Sequence, residues 1–345
     1  MAEDGALLAW LEEAAGLRGA RLEPLAGDAS FRRYFRVRAH GRSWVLMDAP
    51  PGREPLGPFL RAAEALRGLG LRVPRVEAAD AGRGLLLLED LGDRLYLREL
   101  EAVRRGEAPW ARAEALYGAA LKALRRLQRA PAGVTPEGAP FPPYDEALVR
   151  EEMALFRDWL LARHLGLDPA PWGGVLEAAF DRLAAVFAEQ PRVWVHRDYH
   201  SRNLLAAEPG PGILDFQDAV VGPVTYDLVS LLRDCYLRWP EAAVQAWAEG
   251  HRRALAAEGV ARADPATFRR WLDLTGAQRH LKAAGIFARL WHRDGKAGYL
   301  ADLPRTLGHL ARELAPYREL AGLRRLVLEE VLPRLDRRGR PVQRR

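Results

Sequence analysis

The hydrophobic pattern of the chain changes character once, near residue 90. Before that point, short apolar runs are separated by turn residues. Residues 4–16 have the spacing of an acidic amphipathic helix. Arg21 to Leu25, Tyr34 to Arg38 and Ser43 to Met47 read as strands, with a loop at Gly27-Asp28-Ala29-Ser30 and a turn at His40-Gly41. Pro58 to Leu69, which contains Glu64, has helical periodicity. Val73 to Ala78 and Gly84 to Leu88 read as two more strands around a turn at Asp80-Ala81-Gly82. After Glu89-Asp90 the pattern becomes one of long Ala/Leu/Arg/Glu helices. Trp110 to Arg129, Asp145 to Leu165 and Leu176 to Gln190 are the clear ones, with a Pro-rich break from Pro131 to Pro143. The chain is helical again from Thr225 onward, and no internal repeat is present. This order predicts an α+β fold with two lobes. Residues 1–90 form a small, mostly antiparallel sheet lobe and residues 91–345 a larger helical one, with a ligand cleft between them.

One strand-rich insertion interrupts the helical part, and it carries the chemistry. Val193-Trp194-Val195 and Asn203-Leu204-Leu205 read as strands, residues 206–212 as turn material, and Ile213-Leu214 as a strand ending at Asp215. The intervening run is His196-Arg197-Asp198-Tyr199-His200-Ser201-Arg202-Asn203, and Asp215-Phe216 closes the hairpin over residues 196–216. Such a hairpin holds Asp198, Asn203 and Asp215 near a common point. Phosphoryl transfer needs that set: a base for the acceptor hydroxyl and two oxygen ligands for magnesium on a triphosphate. An aspartate at a strand end is also a common turn cap or surface charge. A metal-hydrolase site built from His196, Asp198, His200 and Asp215 is a further alternative, though it leaves Asn203 without a role.

The run from His196 to Asn203 followed by Asp215-Phe216, with Gly222-Pro223-Val224-Thr225-Tyr226-Asp227-Leu228 after it, resembles the aminoglycoside-phosphotransferase and choline-kinase branch of the protein-kinase-like fold. A narrower resemblance, to the bacterial anomeric kinases of N-acetylmuramate and N-acetylglucosamine, extends through Asp215 to Ala219 and Gly222 to Tyr236. Met47-Asp48-Ala49-Pro50 and segments between Gln278 and Lys296 share it. The resemblance implies a bilobal kinase using ATP and Mg2+. Asp198 would then be the base, and Asn203 and Asp215 the metal ligands. His196 and Asp227 would brace the catalytic loop. It also implies a phosphate-covering loop, here with Ser30, and a lysine on the third strand. The chain departs from that pattern. Its only lysines are Lys122, Lys282 and Lys296, and Met47 stands about where the third-strand lysine would be. Arg32 first, and Arg33 second, are the cations expected to replace it, and only one of two adjacent strand residues can face the cleft. Glu89, at the lobe junction, is a further nucleotide-side candidate. A nucleotide-binding protein without turnover is the alternative the missing lysine raises.

Composition narrows the partners. A chain with 49% apolar content can bury a large core. The single Cys235 excludes an intramolecular disulfide, and no 18-residue apolar span exists, so a soluble cytoplasmic monomer is expected. The formal charge of +6 invites a nucleic-acid reading, but Arg337, Arg338, Arg340, Arg344 and Arg345 supply five of those charges on a tail expected to be mobile. Between Phe268 and Tyr317 nine basic residues face four acidic ones, which favours a neutral or anionic acceptor over a polycation such as an aminoglycoside. Choline, homoserine and fructosamine are other acceptors within the same chemistry. Gln278 with Arg279 is the expected acceptor pair, and His200 and Asp218 are each either an acceptor contact or structural. The residues do not separate N-acetylmuramate from N-acetylglucosamine, or ATP from GTP.

Overall fold

The computed structural model describes residues 2–25, 31–130 and 141–342. It begins with α1 (Ala2–Ala15), β1 (Arg21–Leu25), β2 (Arg33–Ala39) and β3 (Arg42–Asp48), followed by α2 (Gly57–Gly68), β4 (Val76–Asp80) and β5 (Leu85–Glu89). The strands form one antiparallel sheet in the order β1-β2-β3-β5-β4. Period-two alternation gives the sheet two buried faces. Val37, Leu46, Leu85 and Leu87 pack on Leu7, Trp10 and Leu11 of α1. Met47, Leu86 and Leu88 turn the other way, join Phe59 and Leu66 of α2, and belong to a core that continues through the helical body. The apolar run Leu85–Leu88 is therefore buried at every residue, as a strand covered on both sides must be.

The helical body comprises α3 (Tyr96–Arg104), α4 (Trp110–Gln128), α5 (Glu146–Leu155), α6 (Gly173–Ala188), α7 (Tyr226–Leu232), α8 (Glu241–Ala257), α9 (Pro265–Asp294), α10 (Leu303–Glu313) and α11 (Ala321–Arg325). Between α6 and α7 lie β6 (Arg192–Val195), β7 (Leu204–Leu205), β8 (Gly212–Ile213) and β9 (Val220–Pro223), paired as β6-β9 and β7-β8. The axis of this body is α9. Its start is set by Asp264, whose carboxylate accepts from the N–H groups of Ala266 and Thr267, with Pro265 at the first position. Gly295, at φ +67°, ends it. The packing of α9 on the end of α5 is close enough that a Cβ on Gly285 would lie 2.3 Å from the Leu155 carbonyl carbon.

Several expectations are corrected. The helix from Asp145 does not run uniformly to Leu165; from Phe156 to His164 it is π-helical. β4 starts at Val76, not Val73, and continues to Asp80, so the turn before β5 comes later than expected. Residues 335–342 are not a free basic tail. Leu335 bridges to Pro341, Asp336 accepts from the N–H groups of Arg338 and Arg340 (2.7 and 2.8 Å), and the Gly339 carbonyl meets His164 Nε2 at 2.8 Å. Arg344 and Arg345 lie outside the described residues, as do the Gly27–Ser30 loop and most of the Pro-rich break.

Candidate active site

β7 and β8 pair antiparallel, Leu204 with Ile213 and Leu205 with Gly212, and this short hairpin brings Asn203 beside Asp215. Asn203 donates its amide to the Asp198 carbonyl (3.0 Å) and, at 3.5 Å, to Asp215 Oδ2. Those bonds orient the amide and leave its oxygen as the acceptor end. Asp215 holds φ +60°, a left-handed conformation rare for a non-glycine residue and characteristic of strained functional positions. Its neighbour Phe216 is buried against Phe59 of α2, centroids 4.8 Å apart, which ties the hairpin to the sheet side of the molecule.

The loop from His196 to Asn203 is braced from four directions. Asp227, at the start of α7, accepts from the backbone N–H of His196 (2.7 Å) and of Arg197 (3.0 Å). Burial pushes its carboxyl up to about 6, against the pull of His196 and those two N–H groups. The His196 ring spans from Leu214 O, 2.9 Å from Nε2, to the Asp198 N–H, 3.3 Å from Nδ1, so Nε2 carries the proton. Tyr199 anchors to the Ala120 carbonyl at 2.9 Å. Asp234 accepts from the Ser201 N–H at 3.0 Å and from its hydroxyl.

Two cavities meet at this loop, and Asn203 and Asp215 line both. The larger, about 400 Å3, lies between the sheet and the hairpin and has an apolar slot formed by Val45 and Leu88 above and Leu205 and Leu214 below. Tyr34, Arg36 and Glu89 also line it. Tyr34 and Arg36 alternate onto this face, whereas Arg32, two residues before Tyr34, does not line the cavity itself. Arg32 is nearly buried, forms an ion pair with Glu54 at 2.8 Å, and hydrogen-bonds Tyr34, whose phenol burial pushes up to about 12 and which also feels Asp215. Arg33 points the opposite way and pairs with Asp48 (2.9 Å) in solvent. Met47 is fully buried opposite Tyr34 in the register. Glu64 is exposed on α2, and Glu54, ahead of that helix, is the carboxylate paired with Arg32. Glu89 is held by Arg72 at 2.8 Å. Ser30 lies outside the described residues.

The smaller cavity, about 180 Å3, opens on Asp198. One stripe of α9 walls it: Arg279, Lys282, Ala283, Ile286, Phe287 and Leu290, the i, i+3, i+4 spacing of a single helix face. Tyr226, Tyr236 and Tyr299 complete an aromatic side. Arg279 lies 3.7 Å from Asp198, and Lys282 bridges Glu152 (2.8 Å) and the Tyr226 hydroxyl (3.2 Å). Burial raises the Asp198 carboxyl, but Lys282, His200, Arg279 and Arg197 together outweigh it and hold the group well below the usual carboxylate range. The side chain is still 42% exposed, toward the cavity where an acceptor would enter.

The sequence-derived candidates therefore separate. Asp198, Asn203, Asp215, His200 and Arg279 converge. His200 is buried at the cavity wall, with Nδ1 making no hydrogen bond to the described residues. Gln278 does not line the cavity: one residue off the stripe, it is fully buried and donates to Glu152 at 3.2 Å. Asp218 lies exposed in a turn before β9, so it caps no helix, and it does not line the smaller cavity. Lys282, Glu152 and the aromatic wall were missed. The helical spacing from Arg279 would have found Lys282, whereas nothing local marks Glu152. Among the described residues no group of three His, Cys, Asp or Glu side chains is placed to hold a metal ion. Asn203 and Asp215 fit magnesium that arrives with most of its oxygen ligands from phosphate and water.

Residues 21–271 match the phosphotransferase enzyme family. The chain is 42% identical over 327 residues to an N-acetylmuramate/N-acetylglucosamine kinase of Pseudomonas putida, covering 93% of this chain and 90% of that one. It is 45% identical over 317 residues to the protein of that name in Pseudomonas aeruginosa, covering 89% and 88%. Among solved structures, an aminoglycoside phosphotransferase in complex with ADP and hygromycin B matches with TM-score 0.57 and 14% identity, over 91% of this chain and 99% of that one. A choline kinase from Streptococcus pneumoniae matches with TM-score 0.59 and 13% identity, over 90% and 100%; at such identities these two show the shared fold. The assembled loop, hairpin and cleft, with these likenesses, establish that the chain is a member of the phosphotransferase enzyme family and a phosphotransferase of the protein-kinase-like fold.

Proposed function

We propose that this protein is an ATP-dependent sugar kinase that phosphorylates the anomeric hydroxyl of N-acetylmuramate, N-acetylglucosamine or both. The observation that carries this reading is the acceptor cavity beside Asp198. At about 180 Å3 it is smaller than the roughly 300–1,000 Å3 of pockets for drug-sized ligands, so it suits one sugar ring better than a multi-ring aminoglycoside. Its cations, Arg279 and Lys282, oppose a polycationic acceptor and suit a neutral sugar or one with a carboxylate. The tyrosines and Phe287 offer flat apolar faces to a ring. The relatives named for both sugars support the same choice.

In this reading the adenine occupies the apolar slot, and the triphosphate runs toward Asn203 and Asp215. Arg32, held by Glu54, supplies the first-lobe cation in place of a third-strand lysine. Magnesium held by Asn203 and Asp215 would screen phosphate charge. Asp198, fixed by its backbone partners and by Arg279, accepts a hydrogen bond from the anomeric hydroxyl and aligns it for in-line attack. As a weak base it takes the proton late, when bond formation to phosphorus has acidified the oxygen; an anomeric hydroxyl, more acidic than an ordinary alcohol, needs only that much help. ADP formation on a panel of N-acetylmuramate, N-acetylglucosamine, kanamycin, choline, homoserine and a fructosamine tests the assignment. Turnover on one or both N-acetyl sugars at least about a hundredfold above the other acceptors is expected. Preference for kanamycin would move the protein to the antibiotic kinases, and ATP binding without turnover on any acceptor would make it a non-catalytic nucleotide binder.

A further inference from the structure

Behind the acceptor cavity lies a third cavity, of about 510 Å3, which shares no residue with it. Residues 233–239 touch both. Arg233, Arg238 and Trp239 line the rear cavity, Cys235 and Tyr236 line the acceptor cavity, and Asp234 between them holds Ser201 of the catalytic loop. The inner charges of the rear cavity balance among themselves. Arg233 pairs with Asp273 (2.6 Å) and Glu313 (3.2 Å), and the His280 ring sits 2.8 Å from the same Glu313. The outer wall is different. Arg238, Arg312 and Arg324 line it and form no ion pair with any described carboxylate. Burial, with Arg238 and Arg233, disfavours the charge on Arg312 and outweighs the support it has from Glu313 and Glu241, so an anion here would add to the favourable side. The rest of the wall is mixed: Trp239, Val244, Leu328 and Leu332 give it an apolar part, and His309, Arg269, which pairs with Asp273, and Glu241, which pairs with Arg233, give it a polar one.

We propose that the rear cavity is a second ligand site, for a small organic anion bearing a phosphate group, and that its occupancy alters acceptor binding through residues 233–239. Three guanidinium groups without carboxylate partners match a ligand of more than one negative charge, since each can donate bidentately to phosphate oxygens. The apolar part of the wall accommodates the organic body. The link forward is covalent and hydrogen-bonded: the Arg233 carbonyl accepts from His280 Nε2 at 2.9 Å, and His280 stacks on His309, which Arg312 contacts at 3.0 Å. A shift of Arg238 or Arg312 onto a ligand therefore bears on both ends of the segment that carries Cys235 and Tyr236.

Calorimetric titration of the full chain, with the nucleotide site saturated by ADP and magnesium, tests the site. Inorganic phosphate and a hexose 6-phosphate serve as separate probes. The hexose phosphate should bind saturably and about tenfold tighter than inorganic phosphate, and the exposed double variant Arg238→Ala/Arg312→Ala should weaken it by about tenfold or more. Arg253→Ala, a solvent-exposed control, should leave it unchanged. At saturation the acceptor KM of the wild type should move by about fivefold, with no change in the double variant. No saturable binding, equal binding of the two probes, or binding that the double variant retains would overturn the site. Binding without a change in KM, or a KM change that persists in the double variant, would overturn the coupling. Binding does not depend on the identity of the acceptor, so this result is separable from the sugar-kinase reading.

Discussion

Asp198 stands among Lys282, His200, Arg279 and Arg197, and its carboxylate stays ionised far into acid. In the proposed mechanism so weak a base contributes by position and by accepting a proton late in transfer. Asp198→Asn keeps the shape and removes the proton acceptor, so kcat should fall by about 10²–10⁴-fold with nucleotide affinity nearly unchanged. A variant within threefold of wild type would take Asp198 out of the mechanism. The neighbouring arginines of β2 make a sharper comparison. Arg32 turns toward Glu54 and Tyr34 beside the cleft, and Arg33 turns to solvent and Asp48. Arg32→Ala should raise the apparent KM for ATP or lower kcat by about tenfold for each 1.4 kcal/mol of lost interaction, while Arg33→Ala should be mild. Equal, mild effects would leave the phosphates to backbone and magnesium alone.

At the scale of elements, α9 joins the two cavities. Its stripe from Arg279 to Leu290 lines the cavity beside Asp198, and its other sides bury Asp273, Gln278 and His280. Burial works against a charge on His280, but Glu313 from α10 prevails and the imidazole is pushed up to about 10, from an ordinary value of 6.5. The folded protein therefore keeps a proton that the unfolded chain releases across that range. Its contribution to stability is complete below pH 6.5 and is lost as pH rises toward about 10. The melting temperature should decline over this window, and His280→Gln should flatten the decline. An unchanged slope in the variant would assign the pH dependence to other groups.

For the molecule as a whole, the sheet, the hairpin and the convergence of Asp198, Asn203 and Asp215 were legible because their signals are local. Alternation at Leu85–Leu88, turn chemistry at His40-Gly41 and the spacing from Asp198 to Asn203 each lie within a few residues. Less of the acceptor side could be read. Arg279 and Lys282 reach the cavity, whereas Arg269 and Arg312, from the same basic region, line the rear one, and only the packing of α9 against α7 and α10 sorts them. Gln278 was misplaced because adjacent residues on a helix point about 100° apart. The Arg32–Glu54 pair joins positions 22 apart across a segment with no repeating pattern. The π-helical turn at Phe156–His164 is likewise a product of tertiary packing, since its residues have ordinary helical spacing.

The position of the transferred phosphoryl group on the sugar depends at once on the proposed base, the acceptor cavity and the sugar. Proton NMR with phosphorus coupling, on the product formed from ATP and N-acetylmuramate or N-acetylglucosamine, reads it directly. The expected result is an anomeric proton split by phosphorus and a product that no longer reduces copper, as for a sugar 1-phosphate. A reducing 6-phosphate, or no product from either sugar alongside rapid phosphorylation of kanamycin, would contradict it.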